Sequence, residues 1–299
     1  MPGVRDGVGR TALMVAAARA IETHRPDALA HDPYAEHFVR AAAPAAEGWP
    51  LRPEEVPGGE ADPLWGRLGR YFGLRTRVLD DFVARSALAG ARQTVLLGAG
   101  LDSRAYRLDW PDGHVVFEID TPEVLEFKQR VLERAGAVAR AKRVPLAADL
   151  REEWAGPLVA AGFDPALPTV WLAEGLLLYL PGAAERRLLA TADRLTEAPG
   201  ALAYEAKVIR EPEKVRDNPV YTAARERIGV DLLRLFDPEP RPDSAADLAA
   251  LGWSTSTRTP FDFSALHGRG PRPEPDDALA ANRWVFAAKP GPPLVEAPA

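Results

Sequence analysis

The sequence predicts an α/β fold in which a doubly wound, mostly parallel sheet carries helices on both faces. Short apolar strands alternate with helical segments between residues 93 and 207, the pattern of parallel strands joined by crossover helices. Two more strand-like runs follow near the C-terminus, and the first 90 residues are mostly helical. We therefore expect a sheet with a helical N-terminal cap and a late antiparallel strand pair.

The cap is indicated by alanine-rich composition and by apolar residues at helical spacing. Alanine favours helix by intrinsic propensity, and Leu68, Phe72 and Leu79 recur on one helical face. Residues 44–63 are rich in Pro, Gly and Glu and predict a loop. The predicted helices of the cap span residues 11–21, 32–43 and 64–88.

The core is indicated by strands that end in glycine or acidic residues. The five predicted parallel strands are 94–100, 114–120, 143–149, 169–175 and 201–207, and the two late strands are 255–260 and 282–289. Helices are predicted at 123–136, 184–195 and 243–253. Because right-handed crossovers bring the C-terminal ends of parallel strands to one edge, we expect a ligand to bind there.

The length of 299 residues suits one large domain or one core with an appended cap. The predicted cap covers residues 1–90 and the core covers residues 91–290. An insert at 208–250 is expected to lie over the ligand edge. The Pro-rich end, residues 291–299, predicts a flexible tail.

Composition excludes several classes of protein. The net charge of −6 argues against a nucleic-acid-backbone binder, and the absence of cysteine excludes disulfides and thiolate chemistry. No metal site is predicted, because no two histidines stand at ligand spacing. The sequence has neither a secretory signal nor an apolar run of membrane-spanning length, so we expect a cytoplasmic protein that binds no membrane.

A glycine turn follows the first strand, at Gly98, Ala99 and Gly100. Glycines there let a ligand approach the backbone, although a tight turn without a ligand gives the same pattern. Asp120 ends the next strand and is placed to accept hydrogen bonds from ribose hydroxyls; the alternative is a cap of the following helix. Asp102 beside the glycines disfavours a pyrophosphate and suits a ligand with a cationic end, such as a sulfonium nucleoside.

Two further acidic residues end later strands. Asp149, with Leu150 after it, is placed to accept from an adenine amino group while the leucine covers the ring. Glu174 lies in an apolar run, where a charge is rarely left unpaired. Its two interpretations are a ligand contact and an ion pair with an arginine of the cap.

The remaining candidate site residues are two arginines and one histidine. One of Arg75 and Arg77 is placed to bind a carboxylate through a bidentate fork, and the alternative for both is pairing with Asp80 or Asp81 on a solvated face. His267 is the histidine nearest a predicted binding edge, as a general base or as a surface residue.

With these residues identified, the chain resembles the leucine carboxyl methyltransferase-type family of S-adenosylmethionine-dependent methyltransferases, in its bacterial O-methyltransferase branch. The resemblance covers about residues 7–205. The segments that carry it are "GVGRTALMVAAARAIET" (7–23), "HDPYAEHFV" (31–39), "RTRVLDDFV" (75–83), "LLGAGLDSRAYRL" (96–108), "FEIDTPEVLEFKQRVL" (117–132), "ADL" (148–150) and "PTVWLAEGLLLYLP" (168–181).

The resemblance implies a class I methyltransferase fold and S-adenosyl-L-methionine as cofactor. It implies that the glycine turn lies against the methionine part and that Asp120 holds the ribose. Asp149 and Leu150 would contact the adenine, Arg75 would take the methionine carboxylate, and Glu174 would lie near the methionyl end. A family cation in the first helix corresponds to Arg19.

The predicted activity is methyl transfer to a carboxylate or hydroxyl of a small acceptor, such as a polyketide-like natural product. No obvious base motif is present, which favours an acceptor that needs no deprotonation. The alternatives are methylation of a protein C-terminus and, on the same fold, a nicotinamide-dependent oxidoreductase. Ser103 disfavours the last, because it stands where the dinucleotide fingerprint has its third glycine.

Overall fold

The structure, a computed structural model, describes residues 7–207, 218–275 and 277–289. The predicted tail at 291–299 and the first part of the predicted insert, residues 208–217, lie outside the described residues.

One seven-stranded sheet forms the centre of the molecule, with the order β3-β2-β1-β4-β5-β7-β6. Strands β1 to β5 are parallel, whereas β7 runs antiparallel to both β5 and β6. The predicted doubly wound sheet with a late antiparallel pair is thus confirmed. Its strands are β1 (Gln93–Leu97), β2 (Val115–Asp120), β3 (Lys142–Ala147), β4 (Thr169–Ala173), β5 (Gly200–Lys207), β6 (Ser254–Arg258) and β7 (Asn282–Lys289).

Helices cover both faces of this sheet. No helix in the described ranges is long and apolar enough to cross a membrane. A π-helical turn, Pro63–Leu68, leads directly into the third helix. The helices are α1 (Gly7–Thr23), α2 (Ala35–Ala41), α3 (Gly69–Leu88), α4 (Arg104–Arg107), α5 (Pro122–Arg134), α6 (Ala155–Ala160), α7 (Gly182–Arg194), α8 (Pro219–Ile228), α9 (Leu232–Leu235), α10 (Ser244–Ala250) and α11 (Pro260–His267).

The central strands β1 and β4 are mostly apolar because they are buried on both faces. Side chains alternate along a strand, so Leu96 joins a core with α1 to α3, while Val95 and Leu97 join a second core with α6 and α7. The cap helices therefore share a core with one sheet face. The domain boundary at residue 90 stays a prediction.

Several element bounds and helices differ from the predictions, and two of these differences bear on the site. The first predicted strand ends at Leu97, because Gly98 has a φ of +66°, which breaks the extended backbone. A helix that the sequence analysis did not predict, α11, separates the late strands. Its signal is a capping box in which Thr259 and Asp262 bond each other's backbone N–H, with Pro260 at the first helical position.

His114 is buried directly before β2, and both of its ring nitrogens have partners. Nε2 lies 2.9 Å from Thr94 Oγ1, and Nδ1 lies 3.2 Å from the Ala91 carbonyl oxygen. Burial lowers the pKa of His114 from 6.5 to about 4. In the unfolded chain the imidazole of His114 takes up a proton near pH 6.5, whereas in the folded protein it does so only near pH 4. The neutral, buried ring therefore contributes stability above pH 6.5, and this contribution is lost as the pH falls towards 4.

We expect His114→Gln to flatten the acid side of the stability profile. Between pH 7 and pH 4 the free energy of unfolding of the wild type should fall by about 3 kcal/mol more than that of the variant. Urea unfolding at several pH values measures this, with the exposed His31→Gln as the control. Parallel pH profiles for wild type and His114→Gln would contradict the prediction.

Candidate functional site

A cavity of about 470 Å³ opens at the C-terminal edge of the parallel strands. This volume lies within the range of small-molecule sites. The cavity wall includes every residue that the sequence analysis assigned to ligand binding, namely Arg75, Gly98, Ala99, Gly100, Asp120, Asp149, Leu150 and Glu174. Arg19 also lines it, and Arg19 Nη2 donates to the Leu101 carbonyl oxygen at 2.7 Å. The structure thus brings all the predicted strand-end residues to one place.

The backbone conformation of the glycine turn and the neighbouring Leu176 side chain both favour glycine. Gly98 and Gly100 have φ angles of +66° and +47°, a region that disfavours other residues. A Cβ atom on Gly98 would lie 2.9 Å from Leu176 Cδ1. The bare backbone therefore accommodates Leu176 as well as forming part of the cavity wall.

Asp120 stands at the tip of β2 and faces this turn. Its Oδ2 accepts a hydrogen bond from Gly100 N at 2.7 Å, and its Oδ1 accepts from Thr121 N at 2.7 Å. Neither Asp120 nor Thr121 caps α5 with its side chain. Burial raises the pKa of Asp120, against the lowering effect of the two backbone N–H donors. Each carboxylate oxygen keeps a lone pair for a further donor, such as a ligand hydroxyl.

The helix after the glycine turn is only the single turn α4, and its first N–H, from Arg104, is taken by Asp102 Oδ1 at 2.6 Å. The Arg104 guanidinium also pairs with Asp102 Oδ2. The Asp102 charge that was expected to face a cationic ligand is therefore balanced within the protein.

Glu174, directly after β4, holds a buried network of charges. Its Oε1 lies 2.9 Å from Arg75 Nη2, and its Oε2 lies 2.8 Å from Arg104 Nη1. Burial alone would raise the pKa of Glu174, but Arg104 and Arg75 outweigh it and lower the pKa well below its ordinary value. The ion pair with an arginine of the cap is thus present, and Glu174 is an ionised carboxylate at the cavity wall.

Two arginines in the middle of α3, Arg75 and Arg77, have different surroundings. Arg75 is buried, and its Nη1 also lies 2.7 Å from Glu205 Oε2. Arg77 is on the solvent side, where Nε pairs with Asp81 Oδ2 at 2.8 Å. The solvated-face alternative therefore holds for Arg77 and is wrong for Arg75.

His267 does not reach the site. It ends α11 and is not part of the cavity wall, and the charged groups that act on it are Arg77, Asp81 and Arg85 of α3. Burial lowers its pKa, with Arg77 adding to the effect. Its interpretation as a general base is therefore wrong.

Asp149 and Leu150 follow β3, which ends two residues earlier than predicted, at Ala147. Arg151 Nη2 lies 2.6 Å from Asp149 Oδ2, and this hydrogen-bonded pair lowers the pKa of Asp149. Leu150 is buried in the second core, beside the strand tips. The side of the cavity at the ends of β2 and β3 therefore combines an apolar surface with an ionised carboxylate that can accept hydrogen bonds.

The opposite side of the cavity, at β4 and β5, is aromatic. Its wall contains Tyr71, Phe72, Tyr221 and Phe236. Lys207, the last residue of β5, lies among them.

Sequence reasoning missed Arg104, Glu205 and Lys207. The Tyr71 hydroxyl donates to Glu205 Oε1, so Glu205 links α3 to the sheet. Burial raises the pKa of Glu205 to about 7. The strand-tip rule that identified Asp120 and Glu174, applied to the fifth strand, would have found Glu205 and Lys207. Arg104 had no such signal, because it follows a turn.

Residues 12–193 match the family model described as leucine carboxyl methyltransferase. A protein of Streptomyces coelicolor named "Putative S-adenosyl-L-methionine-dependent methyltransferase" is 61% identical over 95% of this chain and 94% of its own length. One of Saccharopolyspora erythraea with the same name is 49% identical, over 95% and 96%. The crystal structure of a DUF574 family protein from Streptomyces avermitilis shares the fold, with a TM-score of 0.51 and 17% identity over 91% of this chain and 97% of that one.

The match to the family model extends over more than half of the chain, and the two relatives align along almost all of it. The resemblance that the sequence segments indicate is therefore confirmed. This chain belongs to the leucine carboxyl methyltransferase family.

Proposed function

We propose that this protein methylates an oxygen, in a carboxylate or hydroxyl group, of a small apolar acceptor such as a polyketide-like natural product. The more general activity, methyl transfer that depends on S-adenosyl-L-methionine, follows from the family and from the names of the relatives. The observation that carries the proposal is the aromatic side of the cavity, where Tyr71, Phe72, Tyr221 and Phe236 surround a space next to the strand tips.

The strand-tip residues suit the cofactor, together with Arg75, whose guanidinium carbon lies 4.7 Å from the centroid of the Phe72 ring. Asp120 has lone pairs free for the two ribose hydroxyls, and Asp149 with Leu150 would take the adenine. Arg75, which lines the cavity, would take the methionyl carboxylate. The glycine turn would let the methionyl chain pass close to the backbone. The donors and acceptors that are present therefore fit an amino-acid-bearing nucleoside.

When bound, the sulfonium cofactor supplies an activated methyl group with a good leaving group. The task of the protein is to hold the acceptor oxygen in line with the methyl group and to exclude water, and such positioning supplies about 7–11 kcal/mol. No histidine lines the cavity within the described ranges. A carboxylate is ionised at neutral pH and needs no base, so this lining favours an acceptor that is already acidic.

Methylation of a protein C-terminal carboxylate is the second candidate, and the description of the matching family favours it. Both reactions would use the same cofactor side. They differ in whether the acceptor enters the cavity whole or as the end of a chain.

A bacterial lysate incubated with the protein and methyl-labelled cofactor separates the two candidates. We expect the label in a small, extractable molecule, as a base-labile ester or a stable ether, detected by mass spectrometry. Label retained on protein would favour the C-terminal carboxylate.

Location in the cytoplasm stays a prediction from the sequence.

A further inference from the structure

Lys207 is the final residue of β5 and is partly buried at the aromatic side of the cavity. Its Nζ lies 5.4 Å from the ring centroid of Tyr221 and 5.1 Å from that of Phe236. In the sheet order, β5 and the cofactor-side strands β2 and β3 lie on opposite sides of β1 and β4. The ammonium group therefore belongs to the space proposed for the acceptor.

Lys207 forms no ion pair with a described residue, although its charge opposes the burial that raises the pKa of Glu205. The other cations in the cavity wall have carboxylate partners: Arg19 with Asp32, Arg75 with Glu174 and Glu205, and Arg151 with Asp149. Among the described residues, no carboxylate lies within ion-pair distance of Lys207 Nζ. Glu205 is on the same strand face but is held by Arg75 and Tyr71.

An ammonium group between aromatic rings is less well solvated than one in water, and the rings compensate only in part. It is complemented best by an anion. We infer that Lys207 binds the ionised oxygen group of the methyl acceptor, and that the acceptor is an apolar molecule with one acidic group, a carboxylic acid or an acidic hydroxyl. The inference rests on the proposed function, because it assigns the acceptor to the side of the cavity opposite the cofactor.

The chemistry of the transfer agrees with this role. The ionised oxygen uses a lone pair to form the new O–CH₃ bond. The C–S bond breaks, and its electron pair stays on sulfur, which changes from a sulfonium to a neutral thioether. No proton has to leave in this step. A positive charge beside the acceptor lowers the pKa of a hydroxyl and so replaces a general base.

Binding of matched probes to the protein saturated with S-adenosylhomocysteine tests the inference. Isothermal titration calorimetry compares 2-naphthoate and 2-naphthol, each an acid, with the neutral 2-naphthamide, from pH 7 to pH 9. The wild type should bind an ionised probe about 10-fold to 100-fold more tightly than the amide, as expected for one hydrogen bond to a charged group. If 2-naphthoate binds more tightly than 2-naphthol at every pH, the acidic group of the acceptor is a carboxylate. If the affinity for 2-naphthol rises with pH and exceeds that for 2-naphthoate, the acidic group is an ionised hydroxyl.

Three variants isolate the charge of Lys207. Lys207→Met keeps the aliphatic stem against the rings and should remove the preference for the ionised probe, while Lys207→Arg should retain it. Lys142→Met, at the exposed start of β3, is the control for the loss of a lysine elsewhere and should behave as the wild type.

An equal affinity of the wild type for ionised and neutral probes, or a preference that survives in Lys207→Met, overturns the inference. The affinity for S-adenosylhomocysteine should be the same in all four proteins. Failure of the wild type to bind S-adenosylhomocysteine would instead reject the proposed function, so the two failures are distinguishable.

Discussion

Replacing Asp120 with alanine is expected to weaken the binding of S-adenosylhomocysteine about 100-fold, since two hydrogen bonds from ribose hydroxyls to a carboxylate are lost. The variant also leaves Gly100 N and Thr121 N without their acceptor. Isothermal titration calorimetry measures the change. Asp120→Asn keeps one carbonyl oxygen at the same place and should lie between the wild type and Asp120→Ala.

Asp109→Ala is the matched control for the Asp120 variants. Asp109 follows α4 on the same connection between β1 and β2, but its side chain is 97% exposed, and its one ion pair is with Arg140. This variant should bind S-adenosylhomocysteine as the wild type does. A folded Asp120→Ala protein with an unchanged dissociation constant would remove Asp120 from the cofactor site.

Arg104→Met is expected to lower the free energy of unfolding by about 3–5 kcal/mol, the cost of breaking a buried ion pair from one side. Arg104 is only 1% exposed and contacts three carboxylates, those of Asp80, Asp102 and Glu174. Asp80 retains Arg107, and Glu174 retains Arg75, but Asp102 loses its guanidinium partner. Urea unfolding measures the loss.

Arg77→Met is the surface counterpart of this change. The pair of Arg77 with Asp81 lies on the exposed face of α3, where a salt bridge contributes about 0–1 kcal/mol. A similar loss of stability in the two variants would mean that the contacts of Arg104 with Asp80, Asp102 and Glu174 do not stabilise the fold more than a surface ion pair does.

The sheet could be predicted from the sequence because its signals are local. One strand–turn–strand pattern contains the apolar run around Val95 and Leu97, the glycines after it and the carboxylate of Asp120. That the strand-end residues lie together at one edge could be predicted because the C-terminal ends of parallel strands meet there.

The partners of those residues could not be predicted in the same way. Glu174 meets Arg75 across 99 positions of sequence and Arg104 across 70, and no spacing rule connects them. Helical periodicity places Arg75 and Arg77 on different faces of α3, but it does not tell which face is covered by the sheet. The role of His267 depended on the path of a segment that proved to contain a helix, α11, and this helix leads it away from the cavity.

A crystal structure of the protein with S-adenosylhomocysteine would test most directly whether the strand-tip acids and the glycine turn form the cofactor site. We expect both ribose hydroxyls within hydrogen-bond distance of the Asp120 carboxylate, the adenine against Leu150, and the sulfur directed towards the space near Lys207. A nucleoside bound among Tyr221 and Phe236, or one that makes no contact with Asp120, would contradict this account.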